Sequence, residues 1–256
     1  LFRSESNDRP FELPEYQDSL VQCITAANPN TVVLLNAGGN VDMSKWIDKV
    51  PSLLHLWYAG QEGGTAVAEI LFGKVNPSGK LPISFEKKWE DNPAYPYYYD
   101  VDGDKRVEYK EGLFMGYRHY DVSETKPQFA FGYGMSYTTF KYSDLRIDRE
   151  KGRDLVVKIR FTVKNTGKHD GAETAQVYIR PINPKVERPY KELKGFAKHF
   201  IRKNTVQEIE ITLDKDAFSY YKTELKDFDY DVGSYEVLVG SASDDIRLRK
   251  VIQIEK

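Results

Sequence analysis

From Leu155 to Val163 every second residue is apolar, a period of two that dictates a β-strand with one buried face. Leu155, Val157, Ile159, Phe161 and Val163 share that face, while Val156, Lys158, Arg160 and Thr162 take the other. The same alternation returns downstream. Ile209, Ile211 and Leu213 oppose Glu208, Glu210 and Thr212, and further rows run through Tyr235, Val237 and Val239 and through Ile246 and Leu248. Turn formers such as Asn165-Thr166-Gly167 and Val232-Gly233-Ser234 separate the rows. Some seven short strands in about 115 residues predict an immunoglobulin-like β-sandwich over 140–256.

The first third of the chain obeys a different period. Pro14 suits a first helical turn, and Tyr16, Leu20, Cys23, Ile24 and Ala27 then recur at steps of three and four. Asn28-Pro29 stops this helix, and the continuous apolar run 31–35 reads as a strand buried on both faces. Asp42 is placed to cap a short helix through Trp46 and Ile47, and 53–57 is a second strand. A helix from Glu62 to Phe72 follows, closed by Gly73. Alternating strands and helices predict a parallel α/β sheet over 1–86, too short to be a whole one.

Between them, residues 87–139 hold neither period. Tyr97, Tyr98, Tyr99, Tyr109, Tyr117, Phe129, Phe131, Tyr133 and Tyr137 sit among Gly, Pro and Asp. Such a density of rings predicts a connector that wraps one domain or joins two, with Phe129, Phe131 and Tyr137 as anchors beside Gly132 and Gly134. A sugar-stacking platform is the competing reading of the same rings.

Charge and composition exclude several classes. With 37 Lys plus Arg against 39 Asp plus Glu, the net charge of −2 gives no electrostatic reason to expect nucleic acid or an anionic membrane. No apolar run nears the roughly 18 residues that span a bilayer. Cys23 is the single cysteine, so neither an intramolecular disulfide nor a cysteine-built zinc site can form. The opening LFRSESNDRP lacks an initiator Met and an apolar leader, which suggests part of a longer polypeptide.

Several local patterns invite chemistry and fail on detail. GQEGG at 60–64 resembles a phosphate loop, but it lacks the lysine-containing and dinucleotide patterns, and Glu62 would repel phosphate. Close helix packing at Gly63 and Gly64 is the simpler reading. Asp100, Asp102, Asp104, Glu108 and Glu111 match positions of a calcium loop, yet Lys105 stands where that loop needs glycine. Asp102-Gly103 reads instead as a hairpin turn. His55, His119, His169 and His199 have no zinc spacing, and no serine-nucleophile elbow occurs.

Longer segments carry a resemblance. GQEGGTAVAEILFGKVNPSGKLPISF (60–85) and ESNDRPFELPEYQDSLV (5–21) resemble the carboxy-terminal α/β domain of glycoside hydrolase family 3. VEYKEGLFMGYRHYD (107–121) and FAFGYGMSYTTFKYSDL (129–145) are similar to its connector. NTGKHDGAETAQVYI (165–179) and RPYKELKGF (188–196) are similar to its fibronectin type III-like tail. The resemblance implies a partial α/β sandwich domain followed by a fibronectin type III-like β-sandwich.

It also implies a retaining, cofactor-free and exo-acting β-glucosidase, with a β-xylosidase, an arabinofuranosidase or a non-catalytic carbohydrate-binding module as alternatives. The family's nucleophile is an Asp in a Ser-Asp-Trp-like motif of a preceding barrel. That motif is absent here, where the tryptophans are Trp46, Trp57 and Trp89. The implied partners are a β-glucoside or oligosaccharide and the amino-terminal barrel of the same enzyme, with homo-oligomerisation open. A periplasmic or secreted location is favoured over the cytoplasm. By the same resemblance Glu5, ahead of Asp8-Arg9 and Leu13-Pro14, is the general acid/base, although the stretch is shorter than in commoner members. A solvated loop glutamate is the plain alternative for Glu5, and a loop-fixing ion pair for Asp8 and Arg9.

Overall fold

The computed structural model describes residues 10–14, 16–100, 103–150 and 155–255. Its amino-terminal part holds helix α1 (Gln17–Ala27), strands β1 (Val32–Leu35) and β2 (Ser52–His55), and helix α2 (Gly63–Leu71). β1 and β2 pair in parallel, Val32 opposite Ser52 and Leu35 opposite His55. Gly73 ends α2 at φ +72°, where Lys74 N donates to Glu69 O at 2.8 Å and Gly73 N to Ile70 O at 3.0 Å. Those two bonds satisfy carbonyls a helix end would leave orphaned. A small core forms from Leu35, Ala37, Val41, Met43, Trp46 and Phe85.

Three expectations are corrected here. The apolar stripe of α1 points away from this core: Leu20 is 57% exposed, Ile24 46%, and Tyr16 and Cys23 are exposed too. Val21 packs inward instead, and Asp18 beside it accepts the indole N–H of buried Trp46 at 3.0 Å. A buried indole needs an acceptor, and this demand sets the inner face of the helix. The helix also begins after Pro14, whose carbonyl accepts from Gln17 N at 3.2 Å in the entering turn. β1 in turn is covered on one face only, since Val32 and Leu34 are exposed. A parallel strand buried on both faces needs a layer on each side, and the described residues supply one.

After Phe85 the chain runs through short helical turns at Trp89–Asp91 and Tyr95–Tyr97 to the one-turn helix α3 (Tyr117–Tyr120). A lone bridge joins Phe85 to Phe129. The sandwich then forms as its alternation demands. One sheet has the order β11-β10-β5-β6 and the other β3-β4-β7. Their ranges are β3 Phe140–Arg149, β4 Val157–Asn165, β5 Gly171–Pro181, β6 Glu192–Ile201, β7 Val206–Leu213, β10 Gly233–Ala242 and β11 Asp245–Ile254. A small hairpin, β8 (Tyr220–Lys222) with β9 (Asp227–Asp229), lies outside both sheets.

The predicted inward rows fill the space between the sheets: Val157, Ile159, Phe161 and Val163 face Val177, Ile179, Val237 and Val239, all buried. Burial of each such side chain is worth about 1.5–3 kcal/mol. Asn165, also buried, ties the turn that sequence marked there. Its Oδ1 accepts from Thr138 Oγ1 at 2.6 Å and from Gly167 N at 3.1 Å, and its Nδ2 donates to Ile201 O at 2.9 Å. No helix among the described residues is long and apolar enough to cross a membrane.

Candidate functional site

Glu5, Asp8 and Arg9 lie outside the described residues. The chain that follows them is anchored: Asp42 N donates to Phe11 O at 2.9 Å, and Leu13 packs on the α/β core. Phe11 is thereby tied to the stretch that follows β1. In a parallel α/β sheet the loops at the carboxyl ends of the strands are where ligand sites form.

Two such loops meet here. Asn36–Asn40 leaves β1 and Leu56–Glu62 leaves β2. His55 joins them, with Nδ1 accepting from Trp57 N at 3.2 Å and Nε2 directed to Gly39 O at 3.3 Å. That pairing puts the ring proton on Nε2. Trp57 holds φ +54°, a conformation bulky residues avoid, and is braced by His55 at 4.4 Å and Phe85 at 6.1 Å between ring centroids. Strain of this kind survives only where packing over-determines it. The next residue, Tyr58, is largely exposed and lies over Gly38, where a Cβ would come to 2.5 Å from the ring. A side chain at position 38 would have to displace this exposed ring. Asn40 completes the loop by donating to Glu86 O at 2.9 Å and to Glu86 Oε2 at 3.1 Å.

The GQEGG stretch behaves structurally, but in part only. A Cβ at Gly63 would meet Ala59 Cβ at 2.7 Å, whereas Gly64 has open space around it. Glu62 accepts from Thr65 Oγ1 at 3.1 Å across the first turn of α2. In the acidic 100–111 stretch, Asp100 accepts from Gly103 N at 2.8 Å and Lys105 N at 2.9 Å. Asp104 accepts from Arg106 N at 2.8 Å. These carboxylates close their own turn; among the described residues no strand flanks it as the hairpin reading requires, and Asp102 lies outside them. Among the described residues no group of His, Cys, Asp or Glu could hold a metal ion.

The connector anchors as its glycines suggest. Phe129 exchanges backbone hydrogen bonds with Phe85, at 2.8 and 3.3 Å. Phe131, half-buried, packs at 4.9 Å on Tyr117, which in turn meets buried Tyr178 of the sandwich at 5.8 Å. Tyr137 stays exposed, and its hydroxyl donates to Ile70 O in α2 at 2.8 Å. Gly132, at φ +82°, lies on the Gln176 amide, and Gly134 lies on the Gly79 carbonyl. Tyr98, Tyr99 and Tyr109 remain exposed, because a strap covers only the rings on its inner side.

Buried polar groups lock this seam. Tyr142 donates to Glu173 at 2.8 Å, and Lys80 approaches the same carboxylate at 3.6 Å while donating to Gly134 O at 3.1 Å. Burial pushes the Tyr142 phenol far up and the Lys80 ammonium down. Tyr117 accepts from Leu193 N at 2.9 Å, and Asp121 pairs with buried Lys191. Burial raises the Asp121 carboxyl and lowers the Lys191 ammonium. Sequence reasoning passed over Lys191, Glu173 and Glu192. For Lys191 and Glu192 the signal was the density of charges within RPYKELKGF, which a solvated strand has no need of.

The glycosyl hydrolase family 3 C-terminal domain is matched by residues 2–137, and the fibronectin type III-like domain by residues 173–243. Thermostable beta-glucosidase B of Acetivibrio thermocellus is 43% identical over 255 residues, 99% of this chain and 33% of the relative. A beta-glucosidase of Kluyveromyces marxianus is 41% identical over 260 residues, 100% of this chain and 30% of the relative. Among solved structures, a family 3 beta-glucosidase of Bifidobacterium adolescentis superposes with a TM-score of 0.91 at 36% identity, covering 98% of this chain and 37% of that one. The Kluyveromyces marxianus beta-glucosidase in complex with glucose gives 0.90 at 41% identity, over 96% of this chain and 29% of that one. The chain thus spans about a third of the length of the relatives it matches.

Proposed function

Because this chain belongs to glycosyl hydrolase family 3, we propose that it is the carboxy-terminal portion of a retaining, exo-acting β-glucosidase that releases terminal β-D-glucosyl residues. The observation that carries the reading is the collinear match to β-glucosidases over 99% of the chain. In this reading Glu5 is the general acid/base, and the nucleophile belongs to the portion outside this chain. A retaining cycle needs two carboxyl groups about 5–5.5 Å apart. Glu5 protonates the departing glycosidic oxygen as the nucleophile attacks the anomeric carbon. It then takes a proton from the water that opens the glycosyl ester. The cycle asks for an acid kept protonated by the neighbouring carboxylate until the ester forms. The anchoring of Phe11 and Leu13 on the loop after β1 supports a fixed origin for the segment that carries Glu5.

The test is Glu5→Ala in the full-length enzyme. The loss should reach about 10²- to 10⁴-fold for poor leaving groups and be far smaller for activated nitrophenyl glucosides. Azide should restore deglycosylation and yield glucosyl azide. Equal losses for both substrate types without an azide effect would place the acid elsewhere.

A further inference from the structure

Between β6 and the β8–β9 hairpin runs an open groove of about 910 Å³, lined also by Leu113 and Arg118 of the connector. Its size is that of a small-ligand site. At its floor three cations share one carboxylate: Glu192 meets Arg118 at 3.1 Å, Arg188 at 2.8 Å and Lys194 at 3.6 Å. Around Glu192 the positive charges outnumber the negative one, while the lining as a whole is balanced, with Lys215 and Lys222 added on one side and Glu187, Asp216, Glu224 and Asp227 on the other, so the groove is polarised rather than positive.

Burial pulls the Lys194 ammonium down, Glu192 opposes that, and the two guanidiniums add to it. Glu192 stays below the ordinary carboxylate range because the cations around it outweigh its burial. Arg188 is committed elsewhere, donating to Phe218 O at 3.1 Å and lying 5.3 Å above the Tyr220 ring. Arg118 and Lys194 keep donors at the groove, their side chains 34% and 19% exposed.

The same groove is lined by hydrogen-bond acceptors as well, Asp216, Glu224 and Asp227. Tyr221 and Phe228 stand beside them as an edge-on pair at 5.4 Å, 51% and 60% exposed. An exposed ring offers an apolar plane to the C–H face of a pyranose, and carboxylates accept from its hydroxyls.

We propose that this groove binds an acidic saccharide, a uronic acid residue whose carboxylate seats between Arg118 and Lys194. The pyranose ring lies on Phe228, and its hydroxyls donate to Asp216, Glu224 and Asp227. A neutral sugar forfeits the charged floor, and a simple carboxylate forfeits the ring and hydroxyl contacts. The site is separate from the loops after β1 and β2, and it does not depend on the glucosidase reading.

Calorimetric titration of the full-length protein carrying this chain tests the site, at fixed ionic strength, with sodium glucuronate, glucose and acetate. Glucuronate should bind saturably, and both Lys194→Gln and Phe228→Ala should weaken it at least tenfold while leaving glucose binding unchanged. Phe228 is exposed, so its variant should melt with the parent and decide the matter alone if Lys194→Gln does not fold. Unchanged glucuronate affinity in Phe228→Ala would overturn the proposal. So would acetate binding as tightly as glucuronate.

Discussion

At the scale of single residues, Asp245 shows how one side chain can carry a pH response. Arg247 donates to it at 2.7 Å, and Ser241 Oγ at 2.6 Å, beside the seam where Arg247 also lies 4.8 Å over Tyr142. The guanidinium contact chiefly, with help from Ser241, holds its carboxyl below the model-compound value of 3.8. A carboxylate whose folded pKa is depressed contributes stability that is present above the unfolded value and lost as pH falls through the folded one. Asp245→Asn should therefore lower the melting temperature at pH 6 and flatten its fall below pH 3.8, which melts at a series of pH values would read. A slope unchanged in the variant would assign the acid response to another group. None of this was visible in the sequence, where Asp245 and Arg247 are two charges on an edge strand. The strain at Trp57 was equally hidden, because a single φ depends on what packs around it.

At the scale of elements, helices and strands read well where the apolar period was clean, and badly where polar demands overrode it. The rows from Val157 to Val163 and from Ile209 to Leu213 point inward as alternation predicts. Helix α1 turns its apolar stripe outward, since Asp18 must reach Trp46. The connector had no period to read, yet its glycines marked where backbone presses on backbone and side chain. Gly132→Ala forces a Cβ against the Gln176 amide at φ +82° and should cost about 2–4 kcal/mol in strain and overpacking. Phe131→Ala removes a half-buried ring and should cost about 2 kcal/mol, less than a full core deletion. Both variants should open the 113–137 segment to limited proteolysis. A melt unchanged in both, together with lost oligosaccharide binding, would restore the sugar-platform reading.

At the scale of the whole molecule, the exposed faces of α1 and β1 bear on the proposal that an amino-terminal portion belongs with this chain. Leu20, Ile24, Val32 and Leu34 expose apolar surface that the described residues leave uncovered. Such a surface marks an interface. If the proposed reading holds, the chain alone should show no turnover of nitrophenyl β-glucoside, whereas addition of the proposed amino-terminal portion should restore it. Leu20→Lys with Ile24→Lys should leave the melt of this chain within about 0.5 kcal/mol of the parent, since both side chains are exposed, while abolishing that complementation. Complementation at the parent level would show that this face is not the one covered. The sequence by itself determined the two fold classes and their order, because periods of two and of three to four residues are local consequences of backbone geometry. It also determined the family, through motifs that run in order along the chain. Only the tertiary structure decided which face of α1 turns inward, which carboxylates are buried with cations, and where three cations converge on Glu192. Those depend on residues far apart in the chain, such as Arg118 and Glu192, being brought within hydrogen-bonding distance, and no local period encodes such a meeting.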